Sequence, residues 1–227
     1  MKLYSQVRFG TFLCRPNRFI AQVETEAGVE TCHVKNTGRC RELLVSGAKV
    51  TLSESPNPAR KTKCDLVAVQ KGPLYINMDS LAPNAAAREA LPRLFPGLTK
   101  VKPEAVFGAS RLDFYLEQGA LKTYLEVKGV TLEENGLALF PDAPTERGVK
   151  HLKELEACMR AGCQAALLLV IQMQGVRAFA PNWATHPAFG EALVHAAGAG
   201  VNILAYDCLV TPDSMTLHQP VPILLER

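Results

Sequence analysis

Along residues 111–116, Arg-Leu-Asp-Phe-Tyr-Leu, polar and apolar side chains alternate, the period-2 pattern of a strand with one buried face. Leu112, Phe114 and Leu116 fall on one face, and Arg111, Asp113 and Tyr115 on the other. The alternation resumes over residues 123–128, where Leu125 and Val127 oppose Tyr124, Glu126 and Lys128. Gln118-Gly119-Ala120 supplies the turn between them, because Gly119 is free to take a positive φ. Paired with their apolar faces together, these strands place Asp113, Glu126 and Lys128 on one surface.

The first third predicts short strands at 5–14, 18–25, 29–34, 49–53, 64–71 and 74–78, punctuated by Pro16-Asn17, Gly28, Gly47-Ala48, residues 55–58 and Gly72-Pro73. That density of strands suits a small closed barrel, with an OB-fold and an SH3-like barrel as the alternatives. A short helix expected at 39–44 favours the OB-fold. From Ser80 the pattern changes. Asn84 is placed to cap a short helix that Pro92 and Pro96-Gly97 end. A strand at 101–107 precedes the central hairpin, and a further strand reaches Phe140. Val149, Leu152, Leu155 and Met159 form the apolar stripe of a helix. Residues 164–171 are a continuous apolar run, typical of a strand buried on both faces. A second helix, from Pro187 to Gly198, a buried strand at 201–206 and a hairpin turning at Pro212-Asp213 complete the chain. The fold class expected is an α/β domain with a mixed sheet over residues 80–227, joined to an all-β, OB-like barrel over residues 1–79.

Composition narrows the functional classes. The 227 residues are 48% hydrophobic and 21% charged, ordinary for a globular protein. No apolar run approaches the roughly 20 residues needed to cross a bilayer, and MKLYSQVRFG lacks the apolar core of a signal peptide. The seven cysteines are scattered without a C-x-x-C, so reduced, mostly buried thiols and a cytoplasmic location are expected, with no membrane partner. A zinc site at Cys32, His33 and Cys40 would lack a second ligand pair. The net charge of +3 divides into +5 over residues 1–79 and −2 over the remainder. A basic first third suits an anionic polymer.

Two barrel loops carry the expected nucleic-acid contacts. Residues 33–39 gather Lys35, Asn36, Thr37, Gly38 and Arg39, a set able to approach phosphate through backbone N–H groups and a guanidinium. Residues 58–63 hold Arg60, Lys61 and Lys63. A strand-ending turn and a solvated loop are the bland alternatives. Aromatic groups are few here and several must be core, so contact with the backbone is expected in place of base readout. In the hairpin, Asp113 and Glu126 can hold a hard cation, Mg2+ or Mn2+, whose remaining shell is water and substrate phosphate. Lys128 would orient a metal-bound water or neutralise phosphate charge. Glu146, Lys150 and Lys153 follow one helix face, with Arg147 and His151 adjacent. Glu146 and Lys150 also read as an ordinary i,i+4 surface pair. Gly148 in that first turn costs helix stability and predicts a close backbone approach.

The segments HVKNTGRCREL (33–43), NMDS (77–80), APN (82–84), RLDF (111–114), YLEVKGVTL (124–132) and FPDAPTERGVKHLKEL (140–155) resemble the sugar fermentation stimulation protein A family. That resemblance implies an OB-like barrel followed by a restriction-endonuclease-like domain, similar to the PD-(D/E)XK nucleases. It implies non-specific, backbone-directed DNA binding and a regulatory link to sugar (maltose) metabolism. The alternative is an active Mg2+- or Mn2+-dependent nuclease acting on DNA or RNA; self-association stays open. Asp113, Glu126 and Lys128 then match the nuclease core, with Glu104 or Glu89 as a further carboxylate and Glu104 as a third metal ligand. Glu146, Arg147, Lys150 and His151 would point at the scissile phosphate. Asn36, Thr37, Gly38 and Arg39 would line the barrel's contact surface. The Pro-Asp dipeptide of the nucleases is absent, since Leu112 precedes Asp113.

Overall fold

The computed structural model describes all residues except Thr37 and Pro58. Six strands form the first sheet: β1 (Val7–Asn17), β2 (Ile20–Thr25), β3 (Gly28–Val34), β4 (Lys49–Glu54), β5 (Cys64–Lys71) and β6 (Leu74–Asn77). Their order is β3-β2-β1-β4-β5-β6, and parallel pairing of β3 with β5 closes five strands into a barrel. Alternate residues such as Ala21, Val23, Cys32, Val34, Leu52 and Leu66 are buried inside it. Closure needs Gly10, where a Cβ would lie 2.5 Å from Val23 and 2.8 Å from the Glu24 carbonyl.

The helix expected at 39–44 does not form. The N–H groups of Leu43 and Leu44 both donate to the Cys40 carbonyl, giving a single turn. Cys40 takes a left-handed φ of 44°, which prevents a helix from propagating through it.

The second domain is a six-stranded mixed sheet ordered β15-β14-β12-β9-β8-β7. Its strands are β7 (Lys100–Phe107), β8 (Ser110–Gln118), β9 (Leu121–Val130), β12 (Gln164–Ile171), β14 (Asn202–Val210) and β15 (Met215–Pro220). In place of one strand reaching Phe140, β10 (Leu132–Glu134) and β11 (Leu137–Phe140) pair antiparallel, and β13 (Ala178–Pro181) joins β11 in parallel.

The helices are α1 (Ala82–Leu94), α2 (Glu146–Arg160) and α3 (Pro187–Gly198). Strand β12 is buried on both sides because alternate residues serve different cores. Ala166, Leu168 and Val170 cluster with Ala86, Ala87 and Leu91 of α1. Leu167, Leu169 and Ile171 cluster with Leu152 and Leu155 of α2 and with Phe189 and Leu193 of α3.

Asn84 is not a cap. Leu81 is the N-cap, Pro83 sits in the first turn, and Pro92 remains inside the helix. A proline that near the C-terminal end removes one N–H only, and chain reversal waits for Pro96-Gly97. Thr145 caps α2, its hydroxyl accepting the Gly148 N–H at 3.0 Å. Thr145→Ala should therefore cost about 1 kcal/mol, which differential scanning calorimetry would read as a Tm lowered by about 2–4 °C. Gly148 makes the expected close approach: a Cβ there would lie 2.8 Å from Thr145 and 3.2 Å from the Phe189 ring. Its neighbours are internal to the fold.

Polar bonds join the two domains. Gln172 Nε2 donates to the Asn77 and Asp79 carbonyls and to Asn77 Oδ1 at 3.0–3.2 Å. Within the first domain, Tyr4 Oη donates to Asp79 Oδ2 at 3.2 Å beside that joint. Residues ahead of the barrel lie on the second domain, where Lys2 bridges to Ser214 and the Leu3 N–H donates to the Asp213 carbonyl. None of the seven cysteines is in a disulfide. Among the described residues no helix is long and apolar enough to cross a membrane.

Candidate metal centre

The β8–β9 ladder runs from Gln118–Leu121 to Phe114–Leu125 and stops there. Beyond it Asp113 Oδ2 accepts the Val127 N–H at 2.8 Å, standing in for a strand carbonyl. Asp113 Oδ1 accepts Asn84 Nδ2 from α1 at 2.7 Å. The strands therefore part at the two carboxylates, with Asp113 held from both sides.

Glu126 is 2% exposed. Its Oε1 accepts hydrogen bonds from Lys128 Nζ and His151 Nδ1. Arg147 Nε donates to His151 Nε2 at 3.3 Å, so the ring is in the tautomer that donates from Nδ1 to Glu126. The other oxygen, Glu126 Oε2, is buried without a hydrogen-bond partner. A buried carboxylate oxygen left bare is costly, and the Glu126 charge is felt at Asp113.

The two carboxyls titrate in opposite directions. Burial, and then the Glu126 charge, push Asp113 above the usual carboxylate range, outweighing its hydrogen bonds from Val127 and Asn84 and the Lys128 charge. Burial also acts upward on Glu126 and is its largest single influence. The hydrogen bond from His151 and the charge and hydrogen bond of Lys128 together hold it below the usual range. A divalent cation between them would satisfy Oε2 and relieve the repulsion that Asp113 carries. Oxygen donors and a lysine suit a hard cation such as Mg2+ or Mn2+. Among the described residues no group of three or more His, Cys, Asp or Glu is arranged for a metal. A cation here would have two carboxylates as its acidic donors, which suits an ion that keeps several waters. Among the described residues Cys32, His33 and Cys40 do not come together as a ligand group, and His33 Nδ1 lies 3.1 Å from Asp65 instead.

Several expected site residues do not converge here. Glu104 has a φ of 50°; its side chain is 73% exposed and pairs with Arg111 at 3.2 Å. It lines, with Asn84, Arg88, Glu89 and Asp113 itself, a cavity of about 560 Å³, so it meets the site on the Asp113 side and not at Glu126. Glu89 pairs with the chain's amino terminus at 3.1 Å. Glu146 lies 3.3 Å from His186 Nε2, and Lys150 donates to the Ala109 carbonyl at 3.1 Å. Residues 147 and 151 share a helix face, whereas 146 and 150 sit one residue, about 100°, away. His151 is 5% exposed, and its Nδ1 is spent on Glu126.

The barrel loops are also reassigned. Lys35 donates to Asp79 at 2.6 Å, and Arg60 forks onto Asp65 at 2.7 and 3.1 Å. The Gly38 N–H donates to Asn36 Oδ1 at 2.7 Å and the Arg39 N–H to Asp142 Oδ2 at 2.9 Å. The Gly38 and Arg39 N–H groups are thus already used, and the Arg39–Asp142 bond joins this loop to the second domain. Thr37 lies outside the described residues. Lys61 and Lys63 are exposed.

Sequence reasoning missed Asn84, whose partner is distant in the chain, and Gln172, which ends an apolar strand. It also missed a cavity of about 340 Å³ between the domains, bordered by Asn36, Gly38, Gly129, Asp142, Thr145 and Gln172. Gly129 directly follows Lys128.

A closed OB barrel docked on a mixed-sheet α/β domain, with two carboxylates and a lysine where two strands part, defines a two-domain class. The chain belongs to the sugar fermentation stimulation protein family. The family model described as the SfsA N-terminal OB domain matches residues 13–78, and that of the sugar fermentation stimulation protein RE domain matches residues 80–214. A sugar fermentation stimulation protein homolog of Desulfitobacterium hafniense is 56% identical over 98% of both chains. One of Clostridium beijerinckii is 50% identical over 98% of this chain and 99% of its own. Among solved structures, Pyrococcus furiosus SfsA in complex with Ca2+ matches with a TM-score of 0.87 and 28% identity over 99% of both chains.

Proposed function

We propose that this protein binds DNA non-specifically through the backbone, as a regulator linked to sugar metabolism, and holds Mg2+ or Mn2+ between Asp113 and Glu126. The buried, unpartnered Glu126 Oε2 beside Asp113 carries the metal part of this reading. The relative from Pyrococcus furiosus, solved in complex with Ca2+, supports a divalent cation. Arg111, Arg147, Lys150 and Lys153 are exposed near the hairpin or on α2 and suit a phosphate backbone. Affinity for a random-sequence duplex should fall steeply with salt, as counterion release requires. A mobility-shift titration at low ionic strength with no retarded species would reject DNA binding.

Lys128, placed beside Glu126, favours a second reading, a nuclease acting on DNA or RNA. A bound cation would polarise a phosphoryl oxygen and lower the pKa of water. The residues' own part would be positional: Lys128 meets phosphate charge, Asn84 holds Asp113, and His151 and Arg147 fix Glu126. Under Mg2+ or Mn2+, wild type should cleave DNA or RNA, and an Asp113→Ala/Lys128→Ala double variant should be inert. Equal behaviour of the two would remove the nuclease reading.

The metal part also sets a pH dependence. Because its folded pKa is raised, Asp113 in the metal-free protein contributes stability below its unfolded pKa, and that contribution is lost as pH rises through the folded value. Protons compete with the cation over that window. The rise in Tm on adding Mg2+ should therefore grow with pH above the usual carboxylate range, as paired thermal melts would show. A rise independent of pH would contradict the placement of the cation on Asp113.

A further inference from the structure

Two sets of barrel cations differ in their partners. Arg8 pairs with Glu30 and Glu54, Lys35 with Asp79, Arg60 with Asp65, and Lys71 with Glu133. In contrast, Arg15, Arg18, Arg39 and Arg41 have no salt bridge among the described residues, and Arg15 ties together the segments that bear the other three. Its Nη1 donates to the Gly38 and Arg39 carbonyls at 3.0 and 2.8 Å, and its Nη2 to those of Arg18 and Asn36 at 2.6 and 2.8 Å. These acceptors are neutral, so the Arg15 charge is not cancelled by them. The nearby acids are Asp142, which takes the Arg39 N–H, and Glu42, whose carboxyl burial pushes up.

An aromatic ring stands at the same end. Phe19, in the β1–β2 loop, is 42% exposed, and the Arg18 guanidinium lies 4.8 Å from its centroid. Its backbone is fixed on both sides: the N–H donates to Asn17 Oδ1 at 2.9 Å and the carbonyl accepts the Val34 N–H at 2.8 Å. An exposed ring on a rigid loop, framed by unpaired guanidiniums, is the equipment with which OB barrels hold unpaired strands. A duplex offers no free base face along its length, so the ring would gain nothing from one. The interdomain cavity is lined both by Asn36 and Gly38, whose carbonyls Arg15 holds, and by Gly129, the neighbour of Lys128 in sequence.

We propose that this end of the barrel is a landing surface for an unpaired nucleic-acid strand, with one base stacked on Phe19 and flanking phosphates on Arg18 and Arg39. The strand then runs along the interdomain cavity toward Lys128. This rests on the nucleic-acid reading above and names the state of the polymer.

Fluorescence anisotropy with the full-length protein tests it, using labelled oligo-dT, oligo-rU, a duplex of equal length and a polyglutamate peptide as probes. Oligo-dT or oligo-rU should bind at least tenfold tighter than the duplex, and the two arms show which sugar is preferred. Phe19→Ala should weaken single-strand binding on the order of tenfold, the scale of one stacked base, with duplex affinity unchanged. Phe19→Trp should restore it, which separates stacking from any change in folding. Arg18→Ala should lower the salt slope for single strands by about 0.7. Duplex binding equal to single-strand binding, or an unaltered affinity in Phe19→Ala, would overturn the landing surface while DNA binding stands. Polyglutamate binding as tight as oligo-dT would overturn it too, as plain charge attraction. No binding to any nucleic acid would remove both readings.

Discussion

Glu126→Gln is expected to weaken Mg2+ or Mn2+ binding by more than about 100-fold. Residues that merely support a metal ligand already cost 10–100-fold when lost, and Glu126 is proposed as a ligand itself. The substitution removes the charge and turns one oxygen into an N–H donor facing Lys128 and His151, which already donate to this side chain. Isothermal titration with Mn2+ reads the loss. Glu104→Gln is the matched control: its carboxylate is exposed and pairs with Arg111, so titration should show unchanged affinity. Equal losses in both variants would mean that the cation sits in the neighbouring cavity.

Phe189→Ala should be the most destabilising single change, by about 3–5 kcal/mol. The side chain is fully buried, meets the Phe140 ring edge-on at 5.0 Å, and closes over Gly148 in the first turn of α2. A chain of this length should lose roughly 10 °C in Tm or more, followed by circular dichroism. The effect should reach the site, because α2 carries the His151 and Arg147 that brace Glu126. Cation affinity should fall in this variant even where it remains folded. A small Tm change with full cation affinity would show that α2 is held by something other than this ring.

These residues also show what the sequence made legible. The period-2 hairpin predicts Asp113, Glu126 and Lys128 on one face of the sheet, but the phase slips at Asp113: Leu112 packs into the α2-side core and Phe114 into the α1-side core. Asp113 therefore bonds Asn84 of α1 while Glu126 bonds His151 of α2, and the two carboxylates approach only where the strands part. The barrel was readable because its strands are short and its turns carry Gly and Pro. The phase of α2 was only half read. Positions 148, 151, 152 and 155 form a core stripe at helical spacing, and all four are buried. A polar residue in the stripe hides the fact that His151 faces inward, so the sequence groups it with Glu146, Arg147 and Lys150 as if all four shared one exposed face. The barrel cations misled for a different reason. Lys35 is neutralised by Asp79, 44 residues away, a pairing that a count of charges along the chain does not contain. Phe19 shows the reverse case, since an exposed aromatic ring and a core one look alike in sequence.

Anomalous scattering from a crystal soaked in Mn2+ tests the central claim most directly. One peak within coordination distance of both Glu126 Oε2 and an Asp113 oxygen is the predicted result. A fully occupied peak at Glu104 and Glu89 instead, or no peak at a Mn2+ concentration that saturates the protein in solution, would contradict it.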